Sequence, residues 1–173
     1  MTTDTRKNFV VFYSFEGNCR ALGGAMAEAV DADVAEIFPK REISRSIAGK
    51  YLAGGKGSLF KEKTELQPLA VSVRDYGAVI VGSPVWAWNI PPATRAFLEQ
   101  TDWSGCRVAL FAMHRGMCGG ALSSMRKIIE TGGGTVMGAA DFVDLRWRDA
   151  DVTRARAVEW ARAMLRPAGE AAS

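Results

Sequence analysis

Asn8 to Val30 reads NFVVFYSFEGNCRALGGAMAEAV, and its chemistry changes twice. Asn8 to Ser14 (NFVVFYS) is a run of apolar, β-branched and aromatic residues, the pattern of a buried strand. From Asn18 the period lengthens. Leu22, Ala25, Met26, Ala29 and Val30 recur at three- and four-residue spacing, which predicts a helix with one apolar stripe. Between strand and helix stands Ser14-Phe15-Glu16-Gly17-Asn18-Cys19. Gly17 allows a tight turn, and a loop feeding straight into a helix offers successive amide N–H groups to an anion. Ser14 and Asn18 add side-chain donors. Simple capping of the helix by Asn18 is the plainer alternative.

The same alternation continues outward. Asp33 to Phe38 reads as a second strand, closed by Pro39. Tyr76 to Ser83 (YGAVIVGS) is continuously apolar, as a central parallel strand should be. Arg107 to Met113 (RVALFAM) is a fourth strand, and Thr135 to Gly138, with an extension through Asp141 to Leu145, a fifth. Pro91 and Pro92 suit the first turn of a helix that turns Ala93, Ala96, Phe97 and Leu98 inward. Leu122, Met125, Ile128 and Ile129 mark the next helix, ended by Gly132 to Gly134, and Ala157, Trp160, Ala161, Met164 and Leu165 a closing one. Five strands alternating with helices imply a parallel sheet with right-handed crossovers and helices on both faces, a three-layer doubly wound α/β fold. A length of 173 residues suits one domain over 1–173, with 1–7 and 166–173 as frayed tails.

Residues 40–68 fit no element and read as a basic irregular insertion, a broken helix and then an exposed loop. Lys40 to Lys63 carries seven positive residues against Glu42 and Glu62, whereas the whole chain is only +3. A solvated connection is the plain reading of this patch. Nucleic-acid binding is not expected, because no aromatic-rich basic repeat or helix-turn-helix pattern accompanies it. GGKGS (Gly54–Ser58) imitates a phosphate-binding P-loop but has Gly57 where Ser or Thr is required, and no strand before it. Three scattered cysteines and a single histidine argue against a metal site and against disulfides. No apolar run approaches the roughly 18 residues of a membrane span, and Met1 to Lys7 lacks a secretory leader. A cytoplasmic protein is expected.

In an open parallel sheet, ligands lie beyond the carboxyl ends of the strands, where strand order reverses. Two further loops are therefore informative. Pro84-Val85-Trp86-Ala87-Trp88-Asn89 places two indoles, bracketed by prolines, where they are hard to bury together and where a planar aromatic ligand could stack. His114-Arg115-Gly116-Met117-Cys118-Gly119-Gly120 combines glycines that let a ligand approach the backbone with His114, a candidate proton donor or shuttle or else a structural histidine.

Together the three loops resemble the flavodoxin family, in particular its flavodoxin-like oxidoreductase branch. Tyr13 to Cys19 is similar to the family's Y-S-x-T-G-N-T motif, and Val79 to Leu98 (VIVGSPVWAWNIPPATRAFL) to its G-T/S-P-V-W stretch. The resemblance implies a five-stranded sheet of order 2-1-3-4-5 and flavin mononucleotide (FMN) as cofactor. It implies phosphate contacts from Ser14, Phe15, Glu16, Gly17, Asn18 and Cys19. Ring contacts are implied from Pro84, Val85, Trp86, Ala87, Trp88 and Asn89, with His114, Arg115, Gly116 and Cys118 flanking. Glu16 and Cys19 depart from the motif's threonines. A carboxylate repels a phosphate, so Glu16 is expected to turn toward the helix N-terminus or a basic partner.

The implied activity is an FMN-dependent oxidoreductase taking electrons from NAD(P)H or a protein donor to a small acceptor such as a quinone. The alternatives are an electron carrier docking on redox partner proteins, or a weakly FMN-binding regulatory protein. Electron carriers of this family are typically acidic, which a chain at +3 is not. Lys50 to Lys63 is a candidate flap near the flavin edge or a homodimer contact. The Trp86-Ala87-Trp88 loop lacks glycine, and positive φ costs alanine on the order of 1 kcal/mol more. Mainly two-electron chemistry is expected.

Overall fold

Every residue of strand β1 (Phe9–Tyr13) is buried, and its alternating side chains feed two different cores. The computed structural model describes residues 6–41, 64–146 and 149–165. Among them, β1 is joined by β2 (Asp33–Ile37), β3 (Val79–Pro84), β4 (Arg107–His114) and β5 (Thr135–Val143). The helices are α1 (Asn18–Ala29), α2 (Pro92–Gln100), α3 (Ala121–Thr131) and α4 (Ala150–Leu165). All strand pairs are parallel, in the order β2-β1-β3-β4-β5, as the sequence implies.

Val10, Phe12, Ile80, Ala109 and Phe111 point to one side, against Leu22 and Met26 of α1 and Ala157 and Ala161 of α4. Phe9, Val11, Val81, Val108 and Leu110 point to the other, against Phe97 of α2 and Met125 and Ile129 of α3. The period of two in the strands thus builds three layers. Order reverses between β1 and β3, so the loops leaving their carboxyl ends diverge and open a crevice there.

Three local expectations need correction. The inward residues of α1 are Cys19, Leu22, Gly23, Met26 and Ala27, with Ala25 and Ala29 only half-buried. Gly23 carries no hydrophobic signal but lies on the Phe12 ring, where a Cβ would come within 2.4 Å of it. The third strand begins at Val79 rather than Tyr76. A 3₁₀ turn over Val73–Asp75 precedes it, and Tyr76 stacks on Phe9 with ring centroids 4.6 Å apart. In α4 the buried residues are Thr153, Ala157 and Ala161, while Trp160, Met164 and Leu165 pack around them half-buried. The last strand is continuous to Val143, with a register shift opposite Val108/Ala109.

The reading of 40–68 falls largely outside the described residues, as do the P-loop imitation and the flap or dimer contact. Lys40 and Glu65 are described and form an exposed ion pair at 3.2 Å. No described helix is long and apolar enough to cross a membrane. Among the described residues, no group of three His, Cys, Asp or Glu is placed to hold a metal ion. All three cysteines are free thiols.

Candidate functional site

At the carboxyl end of β1, the chain turns into α1 through Gly17, whose φ is 91°. Gly17 is the residue that caps the helix, so Asn18 is its first residue and not its cap. The Ser14 hydroxyl accepts a hydrogen bond from the Arg20 amide at 3.2 Å, satisfying one first-turn donor from upstream. The amides of Phe15, Glu16, Gly17, Asn18 and Cys19 donate to no partner among the described residues. Five consecutive N–H groups without a protein acceptor at a helix N-terminus are able to receive an anion. A Cβ on Gly17 would meet nothing within 4 Å, so only backbone conformation restricts this position. Gly17→Ala is expected to cost about 1–2 kcal/mol, read by chemical denaturation. An unchanged stability would show that the left-handed turn is not required.

The loop after β3 reverses over two residues. The Trp86 amide donates to the Asn89 carbonyl at 2.8 Å, and the Asn89 amide donates back to Trp86 at 3.0 Å. Ala87 (φ 47°) and Trp88 (φ 62°) form the turn, both left-handed, a conformation that usually selects Asn and Gly. The cost of positive φ foreseen for Ala87 is therefore already borne by the folded chain. The reversal separates the two indoles. Trp86 is 3% exposed and Trp88 61%, so only one of two indoles that are hard to bury together enters the core. The Trp86 ring stands edge-on to Phe15 (5.2 Å) and Tyr13 (6.1 Å). Tyr13 is itself pushed up to about 12 by burial.

The loop after β4 locks against this turn. The Gly120 amide donates to the Trp88 carbonyl at 2.7 Å, and a Cβ on Gly119 would come within 2.4 Å of that carbonyl. The close approach that Gly119 permits is thus to Trp88, not to a ligand. His114 is buried at the end of β4. Its Nε2 lies 2.8 Å from Asp141 Oδ2, and its Nδ1 is buried without a partner among the described residues. Leaving such a nitrogen unpaired costs about 1–3 kcal/mol.

Glu16 finds the basic partner expected of it, in fact two. Its Oε2 accepts hydrogen bonds from Arg115 and Arg146. Both guanidiniums also reach Asp144, from Arg115 at 3.2 Å and Arg146 at 3.0 Å. Burial pushes the Asp144 carboxyl up, but hydrogen bonds from Arg146 and Arg115 outweigh it and hold the group below its ordinary value. Cys19 is almost fully buried in the α1-side core. Burial, with Glu36 and Asp144 nearby, pushes its thiol well up, so no anion is to be expected there. Cys118 is half-buried and shifted in the same direction by burial.

These loops line one cleft that is open to solvent. Ser14, Phe15, Glu16, Asn18 and Cys19 line it from the first loop, Pro84, Val85 and Trp86 from the second, and His114 and Arg115 from the third. Met113 and Asp144 complete the wall. Gly17, Ala87, Trp88, Asn89, Gly116 and Cys118 are not in its lining. Asp144 and Arg146 escaped the sequence reading. Their signal was a cluster of charges directly after the last strand, on the same edge as the other loops.

A family model described as Flavodoxin matches residues 7–133. The chain belongs to the flavodoxin family. Its fold is similar to that of a Bacteroides uniformis ATCC 8492 protein, at 20% identity and a TM-score of 0.74, over 91% of this chain and 98% of that one. A flavoprotein in complex with FMN from Lactobacillus acidophilus NCFM matches at 20% identity and a TM-score of 0.64, over 86% and 99%. Two-electron reduced Megasphaera elsdenii flavodoxin matches at 19% and 0.54, over 89% and 97%. Within the flavodoxin family motif, this chain keeps the turn and its amides. Where the motif has threonines it carries Glu16, paired with Arg115 and Arg146, and Cys19, a core thiol.

Proposed function

We propose that the cleft holds FMN, with its phosphate on the amides of Phe15 to Cys19 and its ring between the Trp86 segment and His114–Arg115. The observation that carries this reading is the run of five unpartnered amides at the reversal of strand order. That is the place where folds of this strand order bind FMN. His114, whose buried Nδ1 has no partner among the described residues, stands in the same lining. When bound, FMN supplies hydride and electron transfer, and the chain positions and shields it.

The chain is then an oxidoreductase passing electrons from NAD(P)H or a protein donor to a small acceptor such as a quinone. Its net charge of +3 supports this over an acidic carrier. A carrier that docks on redox proteins is the second reading, favoured by Trp88 and Met117, which stand 61% and 68% exposed in the loops that bound the cleft.

Titration of the protein with FMN and with riboflavin tests the site. FMN is expected to bind at least about tenfold more tightly, because one hydrogen bond to a charged group contributes about 1.5–3 kcal/mol. Equal affinities would remove the phosphate from the amide turn. Bleaching of the bound flavin by NADH or NADPH alone supports the reductase, and bleaching only by a reduced partner protein supports the carrier.

A further inference from the structure

His114 lines the cleft and pairs with Asp141, which stands outside the lining. The His114 side chain is only 7% exposed, whereas that of Asp141 is 52% exposed. An ionised carboxylate accepts hydrogen bonds and cannot donate, so at the 2.8 Å contact Nε2 carries the proton. The lone pair of the neutral ring then sits on Nδ1, the buried atom without a partner. A histidine that served packing alone would pair both nitrogens with its surroundings, as buried polar groups generally do. One nitrogen toward a solvent-exposed carboxylate and one unused, on a residue lining the cleft, is the arrangement of a conduit.

We propose that His114 and Asp141 form a proton relay between solvent and the redox group in the cleft. The relay rests on the FMN reading above. In one direction, an N–H bond forms at Nδ1 as the donor's bond to that proton breaks. The Nε2 proton passes to the Asp141 carboxylate, which releases it to water. The reverse order delivers a proton to the cleft. Electrons come from the reduced nicotinamide or protein donor, and the imidazole carries none.

The other ionisable groups around the cleft are committed elsewhere. From the first loop and α1, Glu16 is paired with arginines, and Cys19 is a buried thiol shifted up. From beyond β4, Arg115 is paired with Glu16 and Asp144, and Cys118 is a thiol also shifted up. After β5, Asp144 is held by Arg115 and Arg146.

His114 is the only histidine, so ¹⁵N-histidine labelling gives one imidazole whose signals need no assignment. Adding FMN to the labelled protein is expected to move the Nδ1 resonance further than Nε2. The midpoint potential of the bound flavin is expected to bend when followed against pH. Asp141→Asn, an exposed and conservative change that removes the carboxylate facing Nε2, is expected to displace the bend. His114→Gln, loaded with saturating FMN, is expected to lose the bend. If FMN-loaded protein shows an unmoved Nδ1 and the same potential–pH curve in all three forms, the relay is overturned and the proposed function stands. A wild-type protein that takes up no FMN overturns the proposed function and the relay with it.

Discussion

Trp86→Ala is expected to lower the stability of this chain by about 3–5 kcal/mol, the range for truncating a buried aromatic side chain. The indole is 3% exposed and joins the end of β1, through Tyr13 and Phe15, to the start of α2. The upper part of the range is expected, because the surroundings cannot readily collapse into the vacated space. Pro84, Pro91 and Pro92 fix the backbone on either side, and the Trp86–Asn89 pair of hydrogen bonds pins the turn. At about 2–4 °C per kcal/mol for a chain of this size, the melting temperature falls by roughly 6–20 °C. Trp88→Ala is the matched control. With 61% of its surface exposed, its loss should change stability by no more than about 0.5 kcal/mol. Thermal melts of the two variants side by side decide the matter, and equal losses would overturn the assignment of one indole to the core and the other to solvent.

The contrast between the tryptophans shows what sequence patterning could and could not reveal. The strands were legible because parallel strands buried on both faces are written as unbroken apolar runs, and VVFY, AVIVG and VALFA leave little choice. The edge of the sheet that carries the site followed from chain direction alone, since every strand of a parallel sheet ends on the same side. Which indole turns inward did not follow. It depends on Ala87 and Trp88 both adopting left-handed backbone, a conformation their side chains do not announce.

Glycine hid part of the core in a similar way. Gly23 lies on Phe12, and a Cβ at Gly82 would come within 2.1 Å of the Phe111 ring. The aromatic partners are visible in sequence, but the spaces that receive them are not. The strap between Glu16, Arg115 and Arg146 joins positions 99 and 130 residues apart, beyond the reach of any local pattern. Glu16 as a departure from its family motif could be read, and so could its need for a cation. The identity of the cations required the fold.

That strap makes Asp144 the site of the second large effect. Asp144→Asn is expected to cost about 1–3 kcal/mol at neutral pH. Removing one member of a buried ion pair leaves its partners uncompensated at about 3–5 kcal/mol, and exposure of both guanidiniums reduces this by screening. The Asp144 side chain is 4% exposed, against 45% for Arg115 and 52% for Arg146. The pH dependence distinguishes charge from packing. Because the folded carboxyl titrates below its ordinary value of 3.8, its contribution is complete above that value and is lost as pH falls through the lower, folded one. Asp33 and Asp102 are lowered in the same direction, Asp33 mainly by Lys7 and Asp102 mainly by Ser104. The wild type will therefore lose stability in acid for several reasons at once. The difference between wild type and Asp144→Asn removes those shared contributions. It should be level from about pH 5 to 8 and shrink below about pH 4, as urea denaturation at each pH would show. A difference that stays constant down to the lowest pH at which both proteins fold would mean that Asp144 acts through shape, and that the arginines are held by Glu16 alone.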